Sequence, residues 1–220
     1  MASDRLFLGT RRYSSWSLRG WLAVQLAGLV VEEQVIPLAE SATPAIAGVS
    51  PSGLVPYLEH DGNRVWDSLA IGEYCAELAP ALWPADRRAR THARVLAAEM
   101  HAGFRSLRIA MPMNLGRDRA LGQGIAPEVQ ADISRIDRLW QETRATHGAG
   151  GSFLFGPGFN LADAMFAPVV ARLISYRVPL SPISTAYRDA VRAHPLMARW
   201  YEAAAAEPAD WRLARYETVP

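Results

Sequence analysis

The 220-residue chain has no lysine; all 23 basic residues are arginine. That absence removes Schiff-base chemistry, pyridoxal phosphate attachment and the lysine of a phosphate-binding P-loop. Cysteine is nearly as scarce: Cys75 stands alone, so neither a disulfide framework nor a cysteine-based zinc cluster can form. The five histidines show no ligand spacing, and no metal is expected. No apolar run approaches the roughly 20 residues that a membrane-spanning helix needs. A formal net charge of only +1 leaves no whole-chain case for nucleic-acid or membrane binding. Met1-Ala2-Ser3-Asp4-Arg5 leads straight into a strand pattern, not into a secretory apolar region, so a cytoplasmic protein is the expectation. Charge is uneven, with five Arg against nine Asp or Glu in residues 1–80 and eighteen against thirteen in 81–220. A solvated helix surface accounts for that excess.

What the chain does have is a run of punctuation around residues 54–71. Val55-Pro56 ends an extended approach, because a proline pushes the preceding residue out of the helical region. Tyr57–His60 and Arg64–Trp66 then read as two strands around the turn Asp61-Gly62-Asn63. Asp67-Ser68 opens an amphipathic helix whose apolar face includes Cys75, a buried structural thiol. Upstream, Leu6-Phe7-Leu8-Gly9 suits a buried strand, and Ser14-Ser15-Trp16-Ser17-Leu18-Arg19 stands where a helix begins. By themselves these letters describe a hairpin and two capped helices. Val30 to Ile36 reads as a further strand, and Ala39 to Ser52 as irregular.

Past Pro80-Ala81-Leu82-Trp83-Pro84 the pattern turns wholly helical. Residues 85 to about 109 form one stretch of good helix formers, and Pro127 to Arg144 forms a second. Asn160 and Asp163 have the spacing of a capping box ahead of a third. Pro168–Ile174, Pro182–Ala193 and a segment from Pro195 to Ala206 follow. Met111 and Met113, or the aromatic tail Tyr201, Trp211 and Tyr216, could wall an apolar pocket; core filling explains them at least as well.

Taken in order, Ser-Ser-x-Ser-x-Arg after the first strand, Val55-Pro56, the acidic-Ser pair Asp67-Ser68 and the box at Asn160 resemble the cytosolic glutathione transferases. The resemblance is to their serine type, the zeta class and related bacterial enzymes. It implies an α/β thioredoxin-like N-terminal domain over residues 1–80 and an all-α C-terminal helical bundle over 85–220 that contributes the electrophile pocket. It also implies glutathione as co-substrate, a small electrophilic molecule as the second ligand, and a homodimer. Ser14 or Ser15, which the sequence does not separate, would donate to the glutathione sulfur and favour its thiolate. A cis Val55-Pro56 bond would present the Val55 backbone, and Asp67, Ser68 and, more weakly, Arg19 would complete the binding set.

Two departures stand out. Zeta isomerases carry cysteine where this chain has Trp16, which by that resemblance argues against maleylacetoacetate isomerisation. The family offers the glycyl carboxylate a Lys, His, Arg or Gln in the region of Ala39–Ser52, and here there is none. Transfer to glutathione is therefore the leading expectation. The alternatives are an isomerase, dehalogenase or reductase on the same fold, or a non-catalytic binding protein in which the serines only cap a helix.

Overall fold

The structure, a computed structural model, describes residues 4–122 and 124–219; Met1, Ala2 and Ser3 of the expected leaderless start lie outside them. A four-stranded sheet has the order β2-β1-β3-β4, formed by β1 (Arg5–Gly9), β2 (Glu32–Ile36), β3 (Tyr57–His60) and β4 (Asn63–Val65). β1 pairs parallel with β2, with Leu8 opposite Val35, and antiparallel with β3, with Leu6 opposite Leu58. The parallel pair needs a crossover, which α1 (Ser15–Leu26) supplies. Gly28, at φ +69°, follows the end of this helix where a left-handed residue stops it. The hairpin turn takes positive φ at Asp61 and Gly62, and α3 (Ser68–Leu78) packs back against α1. This is the thioredoxin-like sheet domain with a helical domain after it.

The segment 39–52, expected to be irregular, contains a single helical turn, α2 (Pro44–Ala47), with proline at its start. The stretch from residue 85 is two helices, not one: α4 (Arg87–Ala102) and α5 (Arg105–Ala110). They part at Gly103-Phe104, where Phe104 adopts φ +57°. A Cβ on Gly103 would lie 2.7 Å from the Glu99 carbonyl oxygen, so the break requires the glycine. α6 (Pro127–His147) runs one turn beyond the expected Arg144.

The centre of the helical domain is α7 (Leu161–Ser175), in which every residue except Ile174 is buried. Pro168 lies inside it instead of starting a separate helix. A proline costs an internal hydrogen bond, but burial on all sides outweighs local propensity here. α7 packs against α1, α4 and α8 (Pro182–Ala193), and α9 (Pro195–Ala205) and α10 (Ala214–Glu217) complete the chain.

The expected capping box starts α7. Asn160 Oδ1 accepts from the Ala162 N–H at 2.8 Å, and Asp163 Oδ2 accepts from the Asn160 N–H at 3.0 Å. Asp163 Oδ1 also accepts from the Leu154 N–H and the Tyr187 hydroxyl. Asp163 is therefore a structural anchor, fully buried. Burial raises its pKa to about 6 from the ordinary 3.8, against the pull of its donors. Between those values the folded chain holds a proton that the unfolded chain has released, so this group's contribution to stability falls as pH rises from about 4 to 6 and levels off above. Melting curves should show wild type losing ground to the Asp163→Asn variant across that window. Asn160→Ala should cost about 0.5–2 kcal/mol in denaturant titration, the usual effect of losing a cap.

Candidate functional site

A cleft of about 890 Å³ opens between the two domains. Its walls are the start of α1 (Tyr13, Ser14, Ser15, Trp16), the α2 region, Val55, the α5 residues Arg105 and Arg108, Arg172 of α7, and the C-terminal residues Arg215, Tyr216 and Val219. Of the sequence-predicted residues, Ser14, Ser15 and Val55 border this cleft, whereas Arg19, Asp67 and Ser68 do not.

The two serines have different surroundings. Ser14 is the N-cap of α1: its hydroxyl donates to Ser17 Oγ at 2.8 Å and accepts from the Ser17 N–H at 3.4 Å. Ser17 Oγ in turn accepts from the Gly9 N–H, tying the helix start to β1. Ser15 Oγ accepts from Arg172 Nη2 at 3.1 Å. The Ser14 proton is thus committed to the cap, while the Ser15 oxygen is charge-assisted and its own proton has no acceptor among the described residues.

Val55-Pro56 is a cis peptide bond. Pro56 packs against α1 at Gly20, where an added Cβ would lie 2.7 Å from the proline ring. Neither the N–H nor the C=O of Val55 has a hydrogen-bond partner among the described residues. Ser68 begins α3, and its buried hydroxyl has no partner among them either. Asp67 is the N-cap: Oδ1 accepts from the Leu69 and Ala70 N–H groups, and Oδ2 contacts His101 Nε2 at 2.7 Å.

Arginine dominates the cleft. Arg105, Arg108 and Arg172 form no ion pair among the described residues. Arg172 is buried, donating to the carbonyls of Met111 and Pro168 as well as to Ser15. Burial, then repulsion from Arg108, lowers its pKa to about 10. Arg19 donates Nε to the Met165 carbonyl, and its terminal nitrogens have no acceptor among the described residues. Burial, then Arg172 and Arg108, pull it well below the ordinary arginine value. A guanidinium keeps its proton under such pressure, so both side chains remain charged.

Sequence reasoning missed Arg105, Arg108, Arg172 and Arg215. One signal existed: Arg172 is the only charged residue between Asp163 and Arg177 in an otherwise apolar helix, and such a residue is seldom buried without purpose. Met113 and Tyr216 of the suggested aromatic and methionine wall do border the cleft; Met111, Tyr201 and Trp211 do not. Tyr216 belongs to a C-terminal segment that is fastened across the cleft mouth. The Tyr13 hydroxyl donates to Glu217 Oε1 at 2.6 Å and accepts from the Leu213 N–H at 3.2 Å. Burial and the Glu217 bond raise its pKa to about 12, and its proton is engaged by Glu217. On the same segment the Ala214 N–H and Arg215 reach Glu40, while the Val219 carbonyl accepts from Arg117 and Arg119.

Against this geometry, residues 13–78 match the glutathione S-transferase N-terminal domain and residues 120–203 the glutathione S-transferase C-terminal domain. The chain belongs to the glutathione S-transferase family. Maleylacetoacetate isomerase of Rhizobium meliloti is 30% identical over 179 residues, 76% of this chain and 81% of that protein. A maleyl pyruvate isomerase, described as a bacterial glutathione S-transferase of the zeta class, aligns with TM-score 0.71 and 26% identity over 93% of this chain and 99% of its own. Maleylacetoacetate isomerase of Anaeromyxobacter dehalogenans 2CP-1, with dicarboxyethyl glutathione and citrate in its active site, aligns with TM-score 0.61 and 26% identity over 92% and 94%. A second structure of that enzyme has glutathione in the active site.

Cys75 lies fully buried on α3, away from the cleft, and burial raises its thiol to about 12. A nucleophilic sulfur must therefore come from a ligand. The native protein should leave an aromatic disulfide reagent unreacted and release one equivalent of thiol only after denaturation, followed by absorbance.

Proposed function

We propose that this chain is a glutathione-dependent isomerase whose electrophile carries carboxylate groups, with residues 1–80 holding glutathione and 85–220 supplying most of the electrophile pocket. The observation that carries the reading is the hydrogen bond from Arg172 to Ser15 in a cleft where Arg105 and Arg108 also lack carboxylate partners among the described residues. The isomerase relatives add support, and they outweigh the argument from Trp16 that placed transfer ahead of isomerisation.

The residues present fit glutathione. The unpaired Val55 backbone suits a peptide amide edge, and the unpaired Ser68 hydroxyl at a helix N-terminus suits a carboxylate. Asp67 positions that helix start. Arg215, which borders the cleft and is held against Glu40 by a hydrogen bond to its carbonyl and an ion pair at 4.0 Å, takes the place of the cation missing from Ala39–Ser52. Bound glutathione supplies the sulfur nucleophile, which leaves again once the substrate's double bond has turned, or stays on the product in a simple transfer. Ser15 donates its free proton to that sulfur, and the positive end of α1 adds to the same field, so the thiolate is favoured over the thiol. Ser14 holds the helix start in place. Arg172 polarises Ser15, and Arg105 and Arg108 orient the electrophile's carboxylates, which fixes the two reactants at close range. A homodimer is part of this reading, and the exposed apolar side chains of Trp66, Leu78 and Val95 offer surface for it.

Maleylacetoacetate incubated with the protein and glutathione should isomerise with no net consumption of glutathione. Conjugation of a neutral aryl halide with no turnover of the keto acid would instead favour the transferase reading. Ser15→Ala should lower kcat/KM about 10²–10³-fold, the usual effect of removing a transition-state hydrogen-bond donor, while Ser14→Ala mainly lowers Tm. In calorimetry Ser68→Ala should abolish measurable glutathione binding without unfolding the chain; unchanged affinity would reduce Ser68 to a helix cap.

A further inference from the structure

Trp16 occupies a position that neither the fold nor the serine chemistry accounts for. Its half-buried indole borders the cleft one residue from Ser15. The Arg19 guanidinium carbon lies 4.5 Å from the ring centroid and that of Arg108 lies 5.4 Å from it. The His101 ring meets it edge-on at 5.2 Å, and the His101 backbone carbonyl accepts from Arg108 Nη1 at 3.2 Å. Neither arginine has a carboxylate within ion-pair distance among the described residues. Asp132 is the anion that most offsets charge at Arg108, and its Oδ2 is engaged with the Leu107 N–H.

Two like charges held together without an anion repel, and an aromatic face is the one neutral surface that attracts both. An Arg108 without that surface would swing toward solvent, since its single hydrogen bond to a carbonyl does not fix the plane of the guanidinium. We propose that Trp16 is a positioning residue: its indole clamps Arg108 in the cleft, with the His101 carbonyl as the second contact, so that the guanidinium stays aimed at the electrophile's carboxylate. This rests on the reading of the cleft as a site for carboxylate-bearing electrophiles, and adds the residue that organises it. In this chain, then, the residue beside the serines acts through charge and shape and takes no part in bond-making.

The test uses maleate, a four-carbon dicarboxylate, titrated into the full-length protein without glutathione. Trp16→Leu, which keeps apolar bulk and loses the π face, should weaken maleate binding about fivefold to tenfold, whereas Trp16→Phe should stay within about twofold of wild type. Glutathione affinity should be unchanged in both. Combining Trp16→Leu with Arg108→Ala should weaken binding no further than Arg108→Ala alone, because both remove the same contact. Equal maleate affinity in wild type and Trp16→Leu, or equal losses in the Leu and Phe variants, overturns the clamp while leaving the carboxylate site standing. A wild type that binds glutathione but not maleate removes the carboxylate reading and the clamp with it. A second measurement needs no change at Trp16, the only one of the seven tryptophans that borders the cleft among the described residues. Maleate should alter indole emission in wild type and not in Arg108→Ala; an equal response in both also overturns the proposal.

Discussion

Two arginines buried at the seam between α1 and α7 set the terms for the rest of the molecule. Arg19 reaches from α1 to the Met165 carbonyl of α7, and Arg172 reaches from α7 to the Ser15 hydroxyl of α1. Each helix thus sends one guanidinium across the domain boundary to the other. Removing an ion from water costs several kcal/mol even after relaxation, and neither has a carboxylate partner among the described residues to offset it. Arginine tolerates this better than lysine would, because its charge is spread over a planar, weakly hydrated group that several carbonyls can satisfy at once. The crossing fixes the rotation of α1 against α7, and with it the direction in which Ser15 faces.

The division of labour between the neighbouring serines follows from that crossing. Both hydroxyls sit at the same helix start, so the dipole of α1 favours either. What separates them is the partner: Ser14 is folded into the turn by Ser17, which Gly9 holds in its turn, whereas Ser15 is engaged from the opposite domain. Cap and cleft group are adjacent in sequence because a helix N-terminus turns successive side chains in different directions.

Local signals were legible in the sequence where neighbours in the chain are neighbours in space. The capping box needs only Asn160 and Asp163, three residues apart, and the Asp67 cap, the Asp61-Gly62 turn and the Val55-Pro56 bend are equally short-range. Legibility failed where a long-range contact outweighed a local rule. Pro168 reads as a helix start, yet α7 runs through it because it is packed on every side. Arg172 and Ser15 are 157 positions apart, and no periodicity tells which way α7 is turned. The Gly103-Phe104 break was visible only as a glycine in a run of helix formers, a signal that is usually tolerated within a helix. The arginines of the cleft looked like surface charge because composition counts residues without saying where they converge.

The C-terminal segment carries a consequence for how the cleft comes into being. Tyr13, next to the serines, is held by Leu213 and Glu217, some two hundred positions later in the chain. Arg215 and Tyr216 arrive with them to complete the wall. Docking of residues 213–219 therefore closes one side of the cleft and fixes Tyr13 beside the serines in a single step, and local release of that segment would undo both together.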